Sequence, residues 1–337
     1  MQTPRSVWPA LDARDEPFDG NLARLPSAGR PHVESWFAKL VDPQSSRALW
    51  LKCTVLARDR GEAVAEAWAI SFVRDSAPIA AKETQPIAAA RFGASGLDVQ
   101  ASRLKMEPGR ISGKVDRNGH NIEIDLAFTP GAPALELFPL RALYSERFPA
   151  SKAVSPHPDS RFNGHYAVDG VRVEVRDWRG MQGHNWGRRH TPRYAWAHIN
   201  QWGCGEELLF EGLTAQPISA LPSVTVLCVA SRGVRYRFNS LRSILSARGT
   251  IGARSWKFSA ASELAGVEGE LSADTREFAG LLYENPSGAP LFCLNSKLAQ
   301  GRLRFTVRGR PPIELQTRAA ALELGTMDPH HGVQMLA

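Results

Sequence analysis

The dipeptide Asn118-Gly119 lies between two runs in which apolar and polar residues alternate, residues 110–115 and 121–128. An Asn-Gly pair in that setting is the strongest short-range signal for a β-hairpin, because both residues tolerate the positive φ angles of a type I′ turn. Similar short runs recur along all 337 residues, and 28 Gly and 23 Pro punctuate them. No amphipathic helical pattern separates the runs, so the sequence predicts an all-β, antiparallel protein.

The predicted strands fall into two sets of similar length. Residues 1–30 show no periodicity and are predicted to be an extended lead-in. Residues 31–158 are predicted to form a first β-domain, in which the Pro- and Ala-rich segment 132–158 connects to a second domain over residues 159–337. Whether each set closes into a barrel or packs as a sandwich is left open by the sequence.

The chain carries a formal charge of +7, and its basic residues are spread along the predicted strands rather than gathered in a run. Nucleic-acid binding is therefore not expected, although the positive excess permits peripheral contact with an acidic membrane surface. No apolar run reaches the roughly 18 residues of a membrane span, and the N-terminal segment has no apolar region of a secretory signal. A cytoplasmic protein without an obligate protein partner is predicted.

Several common catalytic and metal-binding motifs are absent from the sequence. The four cysteines lie far apart without a Cys-x-x-Cys pair, so free thiols and no metal centre are expected. The sequence has no Gly-x-Ser-x-Gly elbow, Walker loop, dinucleotide-binding Gly-x-Gly-x-x-Gly or His-Glu-x-x-His motif. These absences argue against hydrolase, nucleotide-dependent and zinc-protease functions, and no cofactor is predicted.

The segment from Gly183 to Trp202 is the richest in side chains suited to a binding site. Its first part is bracketed by Gly183 and Gly187, which predicts a turn or a strand end. Its second part alternates, and one face carries Tyr194, Trp196, His198 and Asn200. That face predicts the wall of a mostly apolar ligand pocket with a few fixed polar groups. The alternative is a packed core in which the polar tips of the aromatic residues are satisfied.

The same residues carry a resemblance to a known family. The run Asp177-Trp178-Arg179-Gly180-Met181-Gln182-Gly183-His184-Asn185-Trp186-Gly187, followed by Tyr194-Ala195-Trp196, resembles the signature of the carotenoid 1,2-hydratase (hydroxyneurosporene synthase) superfamily. Tocopherol cyclase carries a similar Asn-Trp-Gly before an aromatic-rich strand. The match in layout extends over most of the chain, including residues 162–166. It implies two lipocalin-like antiparallel β-barrel or sandwich domains in tandem.

The resemblance also implies a class of chemistry, which is cofactor-independent hydration, cyclisation or isomerisation of a lipophilic isoprenoid or polyketide-like molecule. In this hypothesis His184 handles a proton, Asn185 orients a carbonyl or water, and the pocket wall includes Trp186, Tyr194, Trp196, His198 and Asn200. The alternative is an inter-domain corner in which the polar residues satisfy buried backbone groups. Tocopherol cyclase has Lys at the position of His184, so its mechanism does not transfer directly.

Protonation of a double bond requires an acid, and a carboxyl whose pKa is raised by burial would serve. Glu211 lies in an apolar run and Asp177 begins the motif, so both are candidates, with a solvated surface acid as the alternative for each. His165 shares a predicted strand face with Asn163 and lies either at the cavity or at the surface. Two other functions stay open: a non-catalytic, lipocalin-like carrier of a lipophilic ligand, and a structural protein with filled barrels.

Overall fold

The computed structural model describes residues 19–25, 30–117, 119–145, 148–216, 218 and 221–337. Nearly all of its regular structure is strand, which confirms the predicted all-β class. Most of the predicted lead-in lies outside the described residues, and so does Asn118 of the predicted hairpin. Within the part of the chain that is described, no helix has the length and apolarity that crossing a bilayer requires.

The first half of the chain forms one antiparallel sheet. Its strands are β1 (His32–Val41), β2 (Arg47–Ala57), β3 (Val64–Val73), β4 (Ile79–Pro86), β5 (Arg91–Phe92), β6 (Val99–Ala101), β7 (Leu104–Glu107), β8 (Arg110–Arg117), β9 (His120–Pro130), β10 (Leu135–Glu136), β11 (Ser151–Val168) and β12 (Val171–Gly187). Their order is β4-β3-β2-β1-β12-β11-β9-β8-β7-β6-β5, and β10 pairs with β11. The hairpin predicted on either side of Gly119 is formed by β8 and β9.

The second half forms another antiparallel sheet with one short helix, α1 (Leu241–Ser246). Its strands are β13 (Arg193–Ile199), β14 (Leu208–Gln216), β15 (Val224–Ser231), β16 (Val234–Phe238), β17 (Arg248–Ile251), β18 (Ser255–Ala261), β19 (Ala265–Ser272), β20 (Ala279–Glu284), β21 (Pro290–Val307) and β22 (Ile313–Thr326). Their order is β16-β15-β14-β13-β22-β21-β19-β18-β17, and β20 pairs with β21.

The two sheets repeat one topology. In each, the first strand in sequence pairs with the last, so β1 pairs with β12 and β13 pairs with β22. Each sheet curls around its own core, and β4 approaches β8 and β9 across the first core. Among the described strands, the two ends of each order are not hydrogen-bonded to each other, so neither sheet closes into a barrel. The expectation of two lipocalin-like β units is met by two curled, open sheets.

The boundary between the sheets lies later in the chain than the predicted division at residues 158/159. Strand β11 pairs with both β9 and β12, and β12 pairs with β1. Hydrogen bonding therefore places residues 159–187 in the sheet of the first half, whereas the prediction grouped them with the second. The predicted connection 132–158 likewise holds β10, a 3₁₀ turn (Arg141–Tyr144) and the start of β11.

A third apolar cluster joins the two sheets. On β1, Trp36, Ala38 and Leu40 face the core of the first sheet, whereas Phe37 and Val41 face this third cluster. Strand β13 shows the same division, because Ala195 and Ala197 face the core of the second sheet and Trp196 faces the third cluster. Since both faces of these strands are buried, they are largely apolar on both sides. We call the layer between the sheets the seam.

The glycines of the motif were predicted to mark a turn or a strand end, and the structure has a strand end at Gly187. Gly183 and Gly187 lie within the long strand β12, which ends at Gly187. A Cβ atom on Gly183 would lie 2.3 Å from the ring of Phe37, and one on Gly187 would lie 2.0 Å from the carbonyl oxygen of Ala150. Close approach of neighbouring strands therefore requires glycine at both positions.

Candidate functional site

A cavity of about 400 Å³ opens at the seam. Its size falls in the range of pockets that hold small organic ligands. Both sheets contribute to its wall, which is formed by Phe37, Trp50, Lys52, Phe138, Pro139, Leu143, Phe148, Pro149, Ser151, Lys152, Ala153, Asn185, His190, Thr191, Tyr194, Trp196, Leu213, Ala215, Val224, Val226, Leu241, Ile244, Tyr283 and Glu323. Most of these side chains are apolar or aromatic, so the cavity suits a lipophilic molecule.

Aromatic side chains from four strands line this cavity. Phe37 on β1 meets Trp196 on β13 edge to face, with ring centroids 5.8 Å apart and planes at 89°. Trp50 on β2 and Tyr283 on β20 also line the wall. The faces of such rings carry negative electrostatic potential, which stabilises a cation held against them. The wall is therefore suited both to a carbon skeleton and to positive charge that develops on it.

Lys52 is the most unusual group in the wall. Its side chain is buried. The ammonium lies 3.8 Å from the ring centroid of Tyr283 and within 6 Å of the rings of Trp50 and Trp68. Burial lowers the pKa of Lys52 to about 8, against a smaller opposing effect of the Glu323 carboxylate. Near neutral pH the side chain is charged but holds its proton less firmly than an exposed lysine does, as an acid–base catalyst requires.

Glu323 provides a carboxylate in the same wall. Its Oε1 accepts hydrogen bonds from Nζ of Lys297 at 2.7 Å and from Nδ2 of Asn295 at 3.1 Å. Lys297 is fully buried, and burial lowers its pKa. Nearby, the Tyr194 hydroxyl donates to Sγ of Cys293 at 3.5 Å. The seam therefore holds a fixed carboxylate whose partners come from the neighbouring strand β21.

Glu211 lies directly behind the cavity wall. Its Oε1 accepts hydrogen bonds from Nε1 of Trp196 at 3.1 Å and from Oγ of Ser155 at 2.9 Å. Its Oε2 is buried and has no hydrogen-bond partner in the described structure. Burial raises the pKa of Glu211 to about 7, although the bonds from Ser155 and Trp196 act in the opposite direction. The predicted buried carboxyl is present here, but it touches Trp196 rather than the cavity.

Three of the predicted site residues line the cavity. These are Asn185 on β12 and Tyr194 and Trp196 on β13. Within the described chain, the side-chain amide of Asn185 has no hydrogen bond to protein, so it is available to a ligand in the cavity. Burial raises the pKa of Tyr194 well above its usual value, so this side chain is neutral and retains its hydroxyl proton.

His184 lies outside the cavity lining, in a buried network of the first sheet. Its Nδ1 donates to the carbonyl oxygen of Gly20 at 2.6 Å, and its Nε2 lies 2.8 Å from Oε1 of Glu34. The ring is stacked between Trp36 and Trp186, with centroids 4.7 and 4.9 Å away. This arrangement fixes the segment 19–25 against the sheet. His184 therefore satisfies a buried backbone group, which was the alternative to a catalytic role.

Glu34 is the centre of that network. His32 lies 2.8 Å from its second carboxylate oxygen, and the backbone N–H of Arg24 donates to the first at 2.8 Å. Burial alone would raise the pKa of Glu34, but the hydrogen bonds from His184 and His32 outweigh it, and the pKa is lowered. Glu34 is therefore an ionised carboxylate inside the protein, held by its histidine partners.

His198 and Asn200 face the seam beside the cavity without lining it. Nε2 of His198 donates to the carbonyl oxygen of Pro158 at 2.7 Å, and burial keeps its pKa well below the usual value. Asn200 donates to Asp159 at 2.8 Å and accepts from Nζ of Lys39 at 3.0 Å. Burial lowers the pKa of Lys39 to about 7, and the charge of Lys297 adds to this effect. These side chains join the two sheets rather than contact a ligand.

The remaining predicted residues lie away from the cavity. Asp177 is largely exposed and pairs with Arg161 at 2.8 Å, as the surface alternative anticipated. His165 is partly exposed and pairs across β11 and β12 with Glu174. Trp186 is buried against His184 and Tyr144. None of these three side chains lines the cavity.

Lys52, Lys297 and Glu323 are not among the site residues predicted from the sequence. Lys52 and Glu323 had a signal, since each is a charged residue within a run of apolar strand residues, whereas Lys297 follows the polar pair Asn295-Ser296. Charged side chains are almost never fully buried unless they are paired or functional. Their convergence could not be foreseen, because Lys52 lies on β2 while Lys297 and Glu323 lie on β21 and β22, in the other sheet.

Comparison with known proteins places this geometry in a wider group. No protein-family model matches the chain. An uncharacterised protein of Mycobacterium tuberculosis is 27% identical over 308 residues, which cover 88% of each chain. A solved protein of Nitrosomonas europaea, provisionally named AttH, has a TM-score of 0.59 at 13% identity, covering 94% of this chain and 98% of that one.

Two further solved structures share the architecture. Kievitone hydratase from Nectria haematococca has a TM-score of 0.53 at 10% identity, covering 87% of this chain and 88% of that one. CghA has a TM-score of 0.50 at 11% identity, covering 93% and 98%. These likenesses agree with the expected all-β, two-sheet architecture, and at such identities they concern the fold alone.

Proposed function

We propose that the chain catalyses cofactor-independent hydration, cyclisation or isomerisation of a lipophilic isoprenoid or polyketide-like molecule in the seam cavity. The observation that carries the proposal is the wall of that cavity. An ammonium (Lys52), a carboxylate (Glu323) and an amide (Asn185) face a space that is lined mostly by aromatic and aliphatic side chains. A few ionisable groups in an apolar pocket are the usual composition of a site for acid–base chemistry.

Each group has a defined part in the proposed reaction. Lys52 donates a proton from Nζ to the substrate, which its lowered pKa favours. The carboxylate of Glu323 and the faces of Trp50, Trp196 and Tyr283 stabilise the positive charge that follows. Glu211 is a positioning residue, because it holds the indole of Trp196 through Nε1.

The proposed reactions transfer protons and water only, so they need no oxidant or reductant. In hydration, the substrate gains one hydrogen on carbon and the hydroxyl of one water on the neighbouring carbon. In cyclisation or isomerisation, the proton that is added at one carbon is lost from another, so the substrate keeps its composition. Glu323, in the same wall as Lys52, receives the proton that the attacking water or the cation releases, and proton exchange with water then restores both side chains.

The structural comparisons support this class of reaction. Kievitone hydratase is a hydratase by name and shares the architecture, as does CghA. Because one fold often hosts unrelated functions, this support is by analogy and the cavity residues carry the argument.

The test is incubation of the protein with a panel of prenylated phenols, linear isoprenoid alkenes and polyketide-type enones. The reactions are run in H₂¹⁸O and, separately, in D₂O, and the products are analysed by mass spectrometry. Hydration incorporates one heavy oxygen from H₂¹⁸O and one deuterium on carbon from D₂O, whereas proton-initiated cyclisation or isomerisation incorporates deuterium on carbon and no heavy oxygen. Lys52→Met should abolish incorporation, and Lys82→Met, which changes a lysine outside the cavity lining, should not. Retention of a panel member without isotope incorporation would indicate a carrier instead.

A further inference from the structure

We propose that Lys52 anchors an acidic oxygen of the ligand, so that the cavity takes a lipophile bearing a carboxylate, phenolate or enolate. The inference rests on the proposed function, since it concerns the same cavity and names the substrate class.

Every carboxylate that attracts Lys52 is engaged by another cation. Glu323 accepts from Lys297 at 2.7 Å, and Glu66 pairs with Lys82 at 2.9 Å. Oε2 of Glu66 also accepts from Nε1 of Trp68 at 3.1 Å. Among the described residues, Lys52 itself makes no hydrogen bond and has ring faces as its close partners.

Ring faces satisfy only part of what a buried ammonium requires. The group has three N–H donors, and each needs a hydrogen-bond acceptor. A cation–π contact attracts the positive charge but gives none of the three N–H groups an acceptor. An unpaired buried charge is strongly unfavourable, so such a group is retained where it meets an opposite charge or a strong acceptor. Because Lys52 lines the cavity, that acceptor belongs to the ligand.

The charge on the cavity wall points the same way. Glu323 and its partner Lys297 neutralise each other, so Lys52 leaves the wall with an excess positive charge. An anionic or strongly polarised oxygen would compensate this excess, whereas a ligand cation would add to it.

The geometry also explains how one molecule meets both requirements. The acidic oxygen lies at Lys52, beside Tyr283 and Trp50, and the carbon skeleton extends along the apolar wall formed by residues such as Leu213, Val226 and Ile244. An oxygen conjugated to the reacting double bond would bring the proton donor of the proposed reaction to that bond.

The test compares two ligands of equal chain length, octanoate and 1-octanol, by isothermal titration calorimetry at pH 7. The wild-type protein should bind octanoate at least about tenfold more tightly, which corresponds to roughly 1.4 kcal/mol. In Lys52→Met the preference should fall to about one. Lys82→Met is the matched control, because Lys82 also lies over Trp68, at 4.1 Å, but has a carboxylate partner and does not line the cavity. Its preference should be unchanged.

Each other outcome has a distinct meaning. Equal binding of the two ligands to the wild-type protein, or a preference that persists in Lys52→Met, would overturn the assignment while leaving the cavity a lipophile site. Failure of both ligands to bind would overturn the cavity as a ligand site, and the proposed function with it. If Lys52→Met does not fold, Lys52→Gln replaces it, and the wild-type comparison already decides whether an anion is preferred.

Discussion

Nε1 of Trp196 donates a 3.1 Å hydrogen bond to Oε1 of Glu211, so a ring in the cavity wall is fixed by a carboxyl buried behind it. The two residues lie on the adjacent strands β13 and β14 of the second sheet. Ser155 of the first sheet donates to the same oxygen. The position of the cavity wall therefore depends on a contact that joins both sheets.

Replacement of Glu211 by Gln should change the pH dependence of stability. Because the folded-state pKa is raised to about 7 from 4.5, the folded protein binds more protons at this site than the unfolded chain does between these values. Ionisation of Glu211 therefore removes stability as pH rises from about 4.5 to 7, on the order of 3 kcal/mol in total. Glu211→Gln has no carboxyl to ionise at this position. Its free energy of unfolding should therefore rise relative to that of the wild type as pH increases from about 4.5 to 7.

The measurement is urea unfolding of both proteins at several pH values. Glu123→Gln serves as the control, because Glu123 is exposed. A difference between Glu211→Gln and the wild type that does not change with pH would show that Glu211 is not buried as described.

Lys39 should produce a dependence of opposite sign at higher pH. Its folded-state pKa is lowered to about 7 from 10.5, so the folded protein binds fewer protons here than the unfolded chain does. Stability from this group therefore rises as pH increases from about 7 towards 10.5. Lys39→Met cannot show this rise, so its stability relative to the wild type should decline over that range in urea unfolding. The control is Lys257→Met, which changes an exposed lysine and whose curve of unfolding free energy against pH should run parallel to that of the wild type. A parallel curve for Lys39→Met would contradict the prediction.

Replacement of His184 by Ala should destabilise the protein rather than act on catalysis alone. The variant removes the side-chain donor to the carbonyl oxygen of Gly20 and one of the donors to the buried carboxylate of Glu34, which keeps His32 and the backbone N–H of Arg24. Loss of one partner of a buried ion pair costs about 3 kcal/mol. We expect a fall of that size in the free energy of unfolding and faster hydrogen–deuterium exchange in residues 19–25. Unchanged stability with lost turnover would instead restore His184 to the mechanism.

Asp177→Asn is expected to have little effect. Asp177 forms an exposed ion pair with Arg161, and such pairs contribute about 1 kcal/mol or less. Asparagine also tolerates the positive φ of 54° at this position. Thermal unfolding and turnover should both match the wild type. A large loss of turnover would show that Asp177 takes part in the reaction despite its distance from the cavity lining.

Much of the fold follows from local sequence signals. Alternation and turn residues predicted the strands around Gly119, and the alternation of Tyr194 and Trp196 with Ala195 and Ala197 predicted which side chains share a face. The sheet boundary was not predictable in this way. It depends on the pairing of β12 with β1, across some 140 residues, and local patterns carry no information about such partners.

The site was predictable only in part for the same reason. Asn185, Tyr194 and Trp196 line the cavity because their strands present one face to the seam. His184 precedes Asn185 and therefore points to the opposite face of β12, where Trp36 and Glu34 enclose it. Lys52 and Glu323 come together only when the two sheets pack against each other.

The most direct test of the account is whether the seam cavity holds a lipophilic molecule. Native mass spectrometry of the purified protein, mixed with the panel of prenylated phenols, isoprenoid alkenes and enones, measures which of them it retains. Ala215→Trp places a large ring in the cavity wall, and Val171→Trp places the same ring at an exposed position outside that wall. The wild type and Val171→Trp should retain a panel member, and Ala215→Trp should retain none. No retention by the wild type, or equal retention by a folded Ala215→Trp, would contradict this prediction.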